Sequence, residues 1–389
     1  MNSFLQQIKK IHLTLCLIPL ALGACVQTTQ GTWQGNGTSQ SVSVPTQRAE
    51  KDTVLAAPIE VALLIPLTGQ GSDLGQAILN ASQLALFDMG PKDFQIIPRD
   101  TKGTPLGAQI ATQEAINGGA DLILGPLFSS SVKSAASAAA PHRINVIGFT
   151  TDKTAVSYNS FAMGFLPNTQ VKTILNYAIT QGKQRFSIIV PNNQYGQIIA
   201  QTAQSTLSRQ GYPAPHIHNI NGQTADLKRI YEEISAYSPH AVLFGVDMNN
   251  AITISNNLIA NGISNQQVQR LGLGLWDNDQ RSYSSALEGA WYAAPSPLQR
   301  AHFIRSYKNT YGQTPPRLAS IGYDSTALAI SLAKLGGDYS KQSLTRPNGF
   351  YGLDGIFRFD QDGLVERGLA IMEFSRGRAV IRQNAPKGF

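Results

Sequence analysis

Ile59-Glu60-Val61-Ala62-Leu63-Leu64-Ile65-Pro66-Leu67-Thr68-Gly69-Gln70-Gly71 is an apolar run that ends in a Gly-rich turn. A short run with so little alternation suits a strand buried on both faces, and Pro66 and Gly69 stop it. Leu74, Ile78, Ala81, Leu84 and Ala85 then recur at near-helical spacing, and Phe94 to Pro98 reads as a second strand. The rhythm continues outward: helix Leu106 to Ile116, strand Leu122 to Gly125, helix Ser130 to Ala140, strand Ile144 to Phe149 and a short strand Phe161 to Phe165. Alternation of this kind predicts a parallel sheet with helices on both faces.

A second series begins after Pro167. Helices are expected at Thr169 to Thr180, Gln197 to Gln210, Ala225 to Ala236 and Asn250 to Ala260, and strands at Phe186 to Val190, His216 to Ile220, Ala241 to Gly245 and Val268 to Leu273. Helices Gln299 to Tyr311 and Ile321 to Leu335 follow with no strand between them. Hairpin-like segments around Gly355 to Asp360 and Leu369 to Phe374 close the chain, with turns at Asp362-Gly363 and Arg376-Gly377. The expected architecture is α/β with two Rossmann-like lobes, 58–166 with 290–345 forming lobe 1 and 167–289 with 346–389 forming lobe 2. A chain of 389 residues that is 42% hydrophobic suits two such lobes better than one core.

The amino terminus reads differently. Lys9 and Lys10 precede an apolar run from Ile11 to Leu22, too short to span a bilayer, so 1–24 is expected to be an export signal. Leu22-Gly23-Ala24-Cys25 resembles the bacterial lipobox, which implies lipidation of Cys25 and a membrane anchor. Cys16 and Cys25 are the two cysteines of the chain, so no disulfide framework is possible downstream. Residues 25–57 are rich in Gln, Thr, Ser and Gly and are expected to be a flexible tether, with a random-coil span of roughly 30 Å. Lipoprotein sorting implies an outer-membrane address facing the periplasm, because Val26 stands where an Asp would signal inner-membrane retention. The formal net charge is +7. Nucleic acid is nevertheless discarded as a partner: there is no aromatic-interleaved basic stripe, and export puts it out of reach.

Three segments carry a resemblance to the type I periplasmic-binding-protein superfamily, over nearly all of Ile59 to Arg382. Val61 to Gly69 is similar to its opening strand and turn, Gly125-Pro126-Leu127-Phe128-Ser129-Ser130-Ser131 to its ligand loop, and Asn193-Gln194-Tyr195-Gly196 to its second-lobe tyrosine turn. The resemblance implies a ligand held between strand C-termini of two lobes. Hydroxyls and backbone N–H groups beyond Pro126 suit a carboxylate, which makes Ser129 and Ser130 candidates, with a plain serine N-cap as the alternative. Tyr195 either walls the cleft or is a surface tyrosine that begins a helix. Thr150, Thr151 and Asp152 stand where amino-acid-binding relatives place a threonine. Asp247 stands where an aromatic is common, and Asp277 roughly where an ammonium-binding acid would be. These departures make the branched-chain amino-acid specificity non-transferable.

With the lipobox and tether, Gly164-Phe165-Leu166-Pro167 and Phe359-Asp360-Gln361-Asp362-Gly363 resemble the penicillin-binding protein activator family. That family comprises outer-membrane lipoproteins whose binding-protein-like domain engages and stimulates a peptidoglycan synthase. A penicillin-binding protein is the implied partner, although 26–57 is too short for the helical repeats of the better-known members. The alternative is an amino-acid or other small-solute receptor of an ABC transporter. A third possibility is a ligand-free assembly protein.

No enzyme motif competes. The chain holds no Gly-x-Ser-x-Gly elbow, P-loop or His-Glu-x-x-His, and no catalytic residue, cofactor or metal is expected. His216-x-His218 lacks a third ligand of matching context, and Asp277 with Asp279 is a common loop pairing. Arg358, Arg367, Arg376, Arg378 and Arg382 form a basic stretch, read as a solvated hairpin edge in preference to a partner surface.

Overall fold

In the computed structural model, residues 58–221, 225–277 and 284–389 are described. The signal segment, Cys25 and the tether lie outside them, as does Asp279. Strand β1 (Ile59–Ile65) leads through α1 (Ser72–Met89), β2 (Phe94–Asp100), α2 (Pro105–Asn117), β3 (Leu122–Leu124), α3 (Ser129–Ala139) and β4 (Val146–Gly148) to β5 (Ser160–Ala162). The strands form a parallel sheet in the order β2-β1-β3-β4-β5. Val61, Leu63 and Ile65 enter one core cluster and Ala62 and Leu64 another, on the opposite face. Burial on both faces is why β1 shows no polar alternation.

The second series comprises α4 (Pro167–Thr180), β6 (Phe186–Pro191), α5 (Gln194–Arg209), β7 (His216–Ile220), α6 (Ala225–Tyr237), β8 (Ala241–Phe244), α7 (Met248–Ala260), β9 (Gln269–Gly272) and β10 (Trp291–Ala294). After α8 (Pro297–Tyr311), α9 (Ser320–Ala333) and the strands β11 (Phe350–Gly352), β12 (Gly355–Phe359) and β13 (Val365–Arg367), the chain ends in β14 (Ala370–Ser375) and β15 (Arg378–Gln383). The second sheet runs β15-β14-β10-β9-β8-β6-β7, with β14 and β15 antiparallel to their neighbours. The α/β class and the parallel sheets agree with the expectation from sequence.

The expected lobe boundaries need correction at two places. Strand β10 pairs with β9 and β14, so 291–294 belongs with the second sheet. The β11–β13 sheet packs the other way. Phe350, Phe357, Phe359 and Val365 join the core of β1 and α9, Phe161 and Phe359 stack with centroids 5.1 Å apart, and Ala162 N donates to Gly363 O. Segment 350–367 therefore belongs to lobe 1, and the chain passes between lobes at 163–166, 295–296 and 368–369.

Each lobe seats a helix on a strand end through a glycine. A Cβ on Gly75 would lie 1.8 Å from Pro66 O, and one on Gly196 would lie 1.9 Å from Pro191 O. Backbone cannot yield at such a contact without shifting the helix. Gly75→Ala and Gly196→Ala are each expected to lower the unfolding free energy by about 1–3 kcal/mol in urea titrations. Among the described residues, no helix is long and apolar enough to cross a membrane.

Candidate functional site

Between the two lobes lies a cavity of about 1250 Å³. Lobe 1 lines it with Ser129, Thr150, Thr151 and Asp152, and lobe 2 with Tyr195, Gly274 and Asp277. Phe128, Phe149 and Phe165 supply much of its apolar wall. Six of the eight ligand-contact candidates read from sequence thus face one space. Ser130 and Asp247 do not. Ser130 is exposed in the first turn of α3, whereas Asp247 caps α7, its Oδ1 accepting from the N–H groups of Asn249 and Asn250 at 3.0 and 3.1 Å.

The serine loop is built otherwise than either sequence reading. Phe128, not a serine, is the N-cap of α3, and it makes no side-chain cap. Ser129 Oγ donates instead to Asp152 Oδ2 at 2.5 Å. Asp152 also accepts from Thr154 N at 2.8 Å and Thr154 Oγ1 at 2.9 Å, while its own N–H donates to Thr150 Oγ1 at 3.0 Å. Burial alone would raise the Asp152 pKa, but hydrogen bonds from Ser129 and Thr154 and the nearby Lys133 charge hold it below the ordinary carboxylate value. A fixed negative charge therefore occupies the hydroxyl that the sequence suggested for a ligand carboxylate. Across the cleft, Tyr195 is both a cavity wall and a residue of the first turn of α5, where Asn193 Oδ1 caps Gly196 N at 3.0 Å. Burial pushes its hydroxyl pKa up to about 12.

The same cavity is lined by a network that sequence reading missed. Arg317, just before α9, donates from Nε to Asp277 Oδ2 at 3.1 Å and from Nη1 to Ser320 Oγ at 3.1 Å, and its Nη2 lies 2.9 Å from Asp354 Oδ1. Its guanidinium lies 4.5 Å from the Phe165 ring centroid. Burial would lower the Arg317 pKa, but Asp354 and Asp277 raise it. Arg300 Nη1 also approaches Asp277 Oδ2, at 3.8 Å. Asp277 thus faces arginines, not an open site for an ammonium group.

Arg367 completes this floor. Only 4% exposed, it pairs with Asp324 at 3.2 Å, donates to Met163 O at 3.2 Å, and lies over Phe165 and Phe357. The solvated-edge reading is therefore wrong for Arg367, whereas Arg376 and Arg378 are exposed. Arg358 and Arg382 pair with Glu366 and Glu373. Gly352 makes room for Asp324, since a Cβ there would lie 2.4 Å from Oδ1. The two histidines of β7 are spent elsewhere: His216 stacks on Tyr237, and His218 Nδ1 lies 2.9 Å from Glu233 Oε2.

Two α/β lobes around a cleft, joined by three crossings, define the class: a two-lobed ligand-binding or partner-binding protein. The chain belongs to the periplasmic binding protein family, whose sequence model matches residues 58–379. Among curated proteins, a sequence search finds no match. A putative branched-chain amino acid ABC transporter protein from Rhodospirillum rubrum is 18% identical, with a TM-score of 0.74 over 83% of this chain and 99% of that one. The LpoA (YraM) C-domain from Haemophilus influenzae, a regulator of PBP1A, is 16% identical, with a TM-score of 0.68 over 83% and 99%. The isoleucine-bound LivJ substrate-binding protein from Streptococcus pneumoniae is 19% identical, with a TM-score of 0.57 over 85% and 100%. At these identities the likeness is one of fold.

Proposed function

We propose that this protein is an envelope lipoprotein, anchored through Cys25 in the outer membrane, whose cleft domain regulates a peptidoglycan synthase by protein contact and catalyses no reaction itself. One observation carries the choice against an amino-acid receptor: Asp152 already occupies Ser129 at 2.5 Å. A ligand carboxylate at that hydroxyl would meet a like charge in a partly desolvated site, where such repulsion is strong. Asp277, held by Arg300 and Arg317, is equally engaged and gives an ammonium group little to bind. The positive half of the proposal is supported by the resemblance of the lipobox, tether and Gly164 to Pro167 segments to synthase activators, and by a fold shared with a domain that regulates PBP1A.

Two measurements test it. The purified full-length chain in detergent is titrated calorimetrically with each of the twenty amino acids, with no dissociation constant below about 1 mM expected. The same preparation is added to a purified bifunctional peptidoglycan synthase, and glycan polymerisation is expected to rise several-fold. Micromolar binding of an amino acid with an unchanged synthase rate would replace this reading with that of a transporter receptor.

A further inference from the structure

Asp277 and the arginines opposite it support an inference that does not depend on which partner the protein serves. Asp277 directly follows Trp276, whose ring is fully buried in the second core, so its position is set by lobe 2. Gln170 Oε1 accepts from Gly274 N at 2.7 Å and fixes the same turn. Arg300 and Arg317 are set by lobe 1: α8 packs Phe303 and Tyr307 against Ala77 and Ala81 of α1, and Arg317 is held by Ser320 and Asp354. Two guanidinium groups of one lobe thus converge on a single carboxylate oxygen of the other, at 3.1 and 3.8 Å. The Asp277 and Arg300 side chains are only 11% and 7% exposed, so solvent screens the pairing little.

We propose that Arg300 and Arg317 form an anion seat for a carboxylate group, and that its resident occupant is the chain's own Asp277, which holds the lobes together without a solute. Several features make it a seat as well as a structural ion pair. It lies on the wall of the interlobe cavity, and Phe165 of the 163–166 crossing supports the Arg317 plane. Arg317 is held by Ser320 and Asp354 as well as by Asp277, so it stays in place to receive another carboxylate when that of Asp277 is removed. In binding proteins of this architecture closure is driven by differential contacts in the closed state. Here lobe 2 supplies that contact itself.

The test measures lobe separation in the full-length protein by pulsed electron–electron resonance. Spin labels are carried on non-natural keto residues at the exposed positions Gln113 of α2 and Gln201 of α5, so the thiols play no part. Wild type is expected to give one narrow distance distribution, unchanged by acetate. Asp277→Ala should lengthen and broaden it, and sodium acetate should restore the wild-type distribution with a midpoint on the order of 1–10 mM. Sodium chloride at equal ionic strength should not. Asp277→Asn, which preserves the side-chain volume, should also broaden the distribution but should not respond to acetate, and it serves as the readout if the alanine variant misfolds. Wild-type distances in Asp277→Asn, or a folded Asp277→Ala on which acetate has no effect, would overturn the proposal.

Discussion

Replacing Arg367 with alanine is expected to lower the unfolding free energy by about 3–5 kcal/mol, because it leaves the Asp324 carboxylate buried without its counter-charge. Asp324 is 0% exposed, and it also accepts from the Leu353 N–H at 2.6 Å. Burial and then the neighbouring Asp354 raise its pKa to about 7, against the lowering effect of Arg367. The sign of the pH dependence follows. A carboxyl whose folded pKa exceeds its unfolded value of 3.8 contributes stability that is full below that value and is lost as pH rises to about 7. Without Arg367 the folded pKa rises further, so the gap between wild type and Arg367→Ala should widen from pH 5 to pH 8 in urea titrations. Adding Asp324→Asn to the alanine variant removes the unpaired charge and should recover much of the loss at pH 8. A gap that is constant with pH would show that Asp324 is not the group left exposed to the penalty.

That arginine also marks the limit of what the sequence discloses. The strands and helices of both sheets were legible because their burial is local: Val61 to Ile65 is apolar on both faces, and Leu74, Ile78 and Ala81 repeat at helical spacing. The serine loop and Tyr195 were legible through their motifs. Pairings distant in sequence were not. Ser129 reaches Asp152 across 23 residues, Arg317 reaches Asp277 across 40, and Arg367 reaches Asp324 across 43. Nothing in the local pattern of Val365-Glu366-Arg367 separates a buried arginine from an exposed one, since the strand alternates either way. Strand β10 is illegible in the sequence for a related reason. Trp291-Tyr292-Ala293-Ala294 is four residues, buried throughout, with neither alternation nor β-branched residues to announce it.

Trp276→Ala is expected to produce a comparable loss, about 3–5 kcal/mol, through a different cause. Its indole is fully buried among Phe244, Tyr292 and Phe374, with ring centroids 6.1 to 6.2 Å away, and Nε1 donates to Val246 O at 3.1 Å. Gly272 is shaped to it: a Cβ there would lie 2.2 Å from the ring. Truncation removes these contacts and leaves a void that the β-sheet beneath cannot close, along with an unpaired Val246 carbonyl. Because Asp277 is the next residue, the same void loosens the carboxylate that meets Arg300 and Arg317. Urea unfolding followed by circular dichroism should therefore show an earlier midpoint, and the label pair on Gln113 and Gln201 should report a broadened lobe separation in the residual folded state. Trp276→Phe retains the aromatic packing while losing the hydrogen bond, so it should fall between wild type and alanine in stability and keep a narrow distance distribution. If Trp276→Phe destabilises as much as Trp276→Ala, the hydrogen bond and not the packed ring sets the position of Asp277.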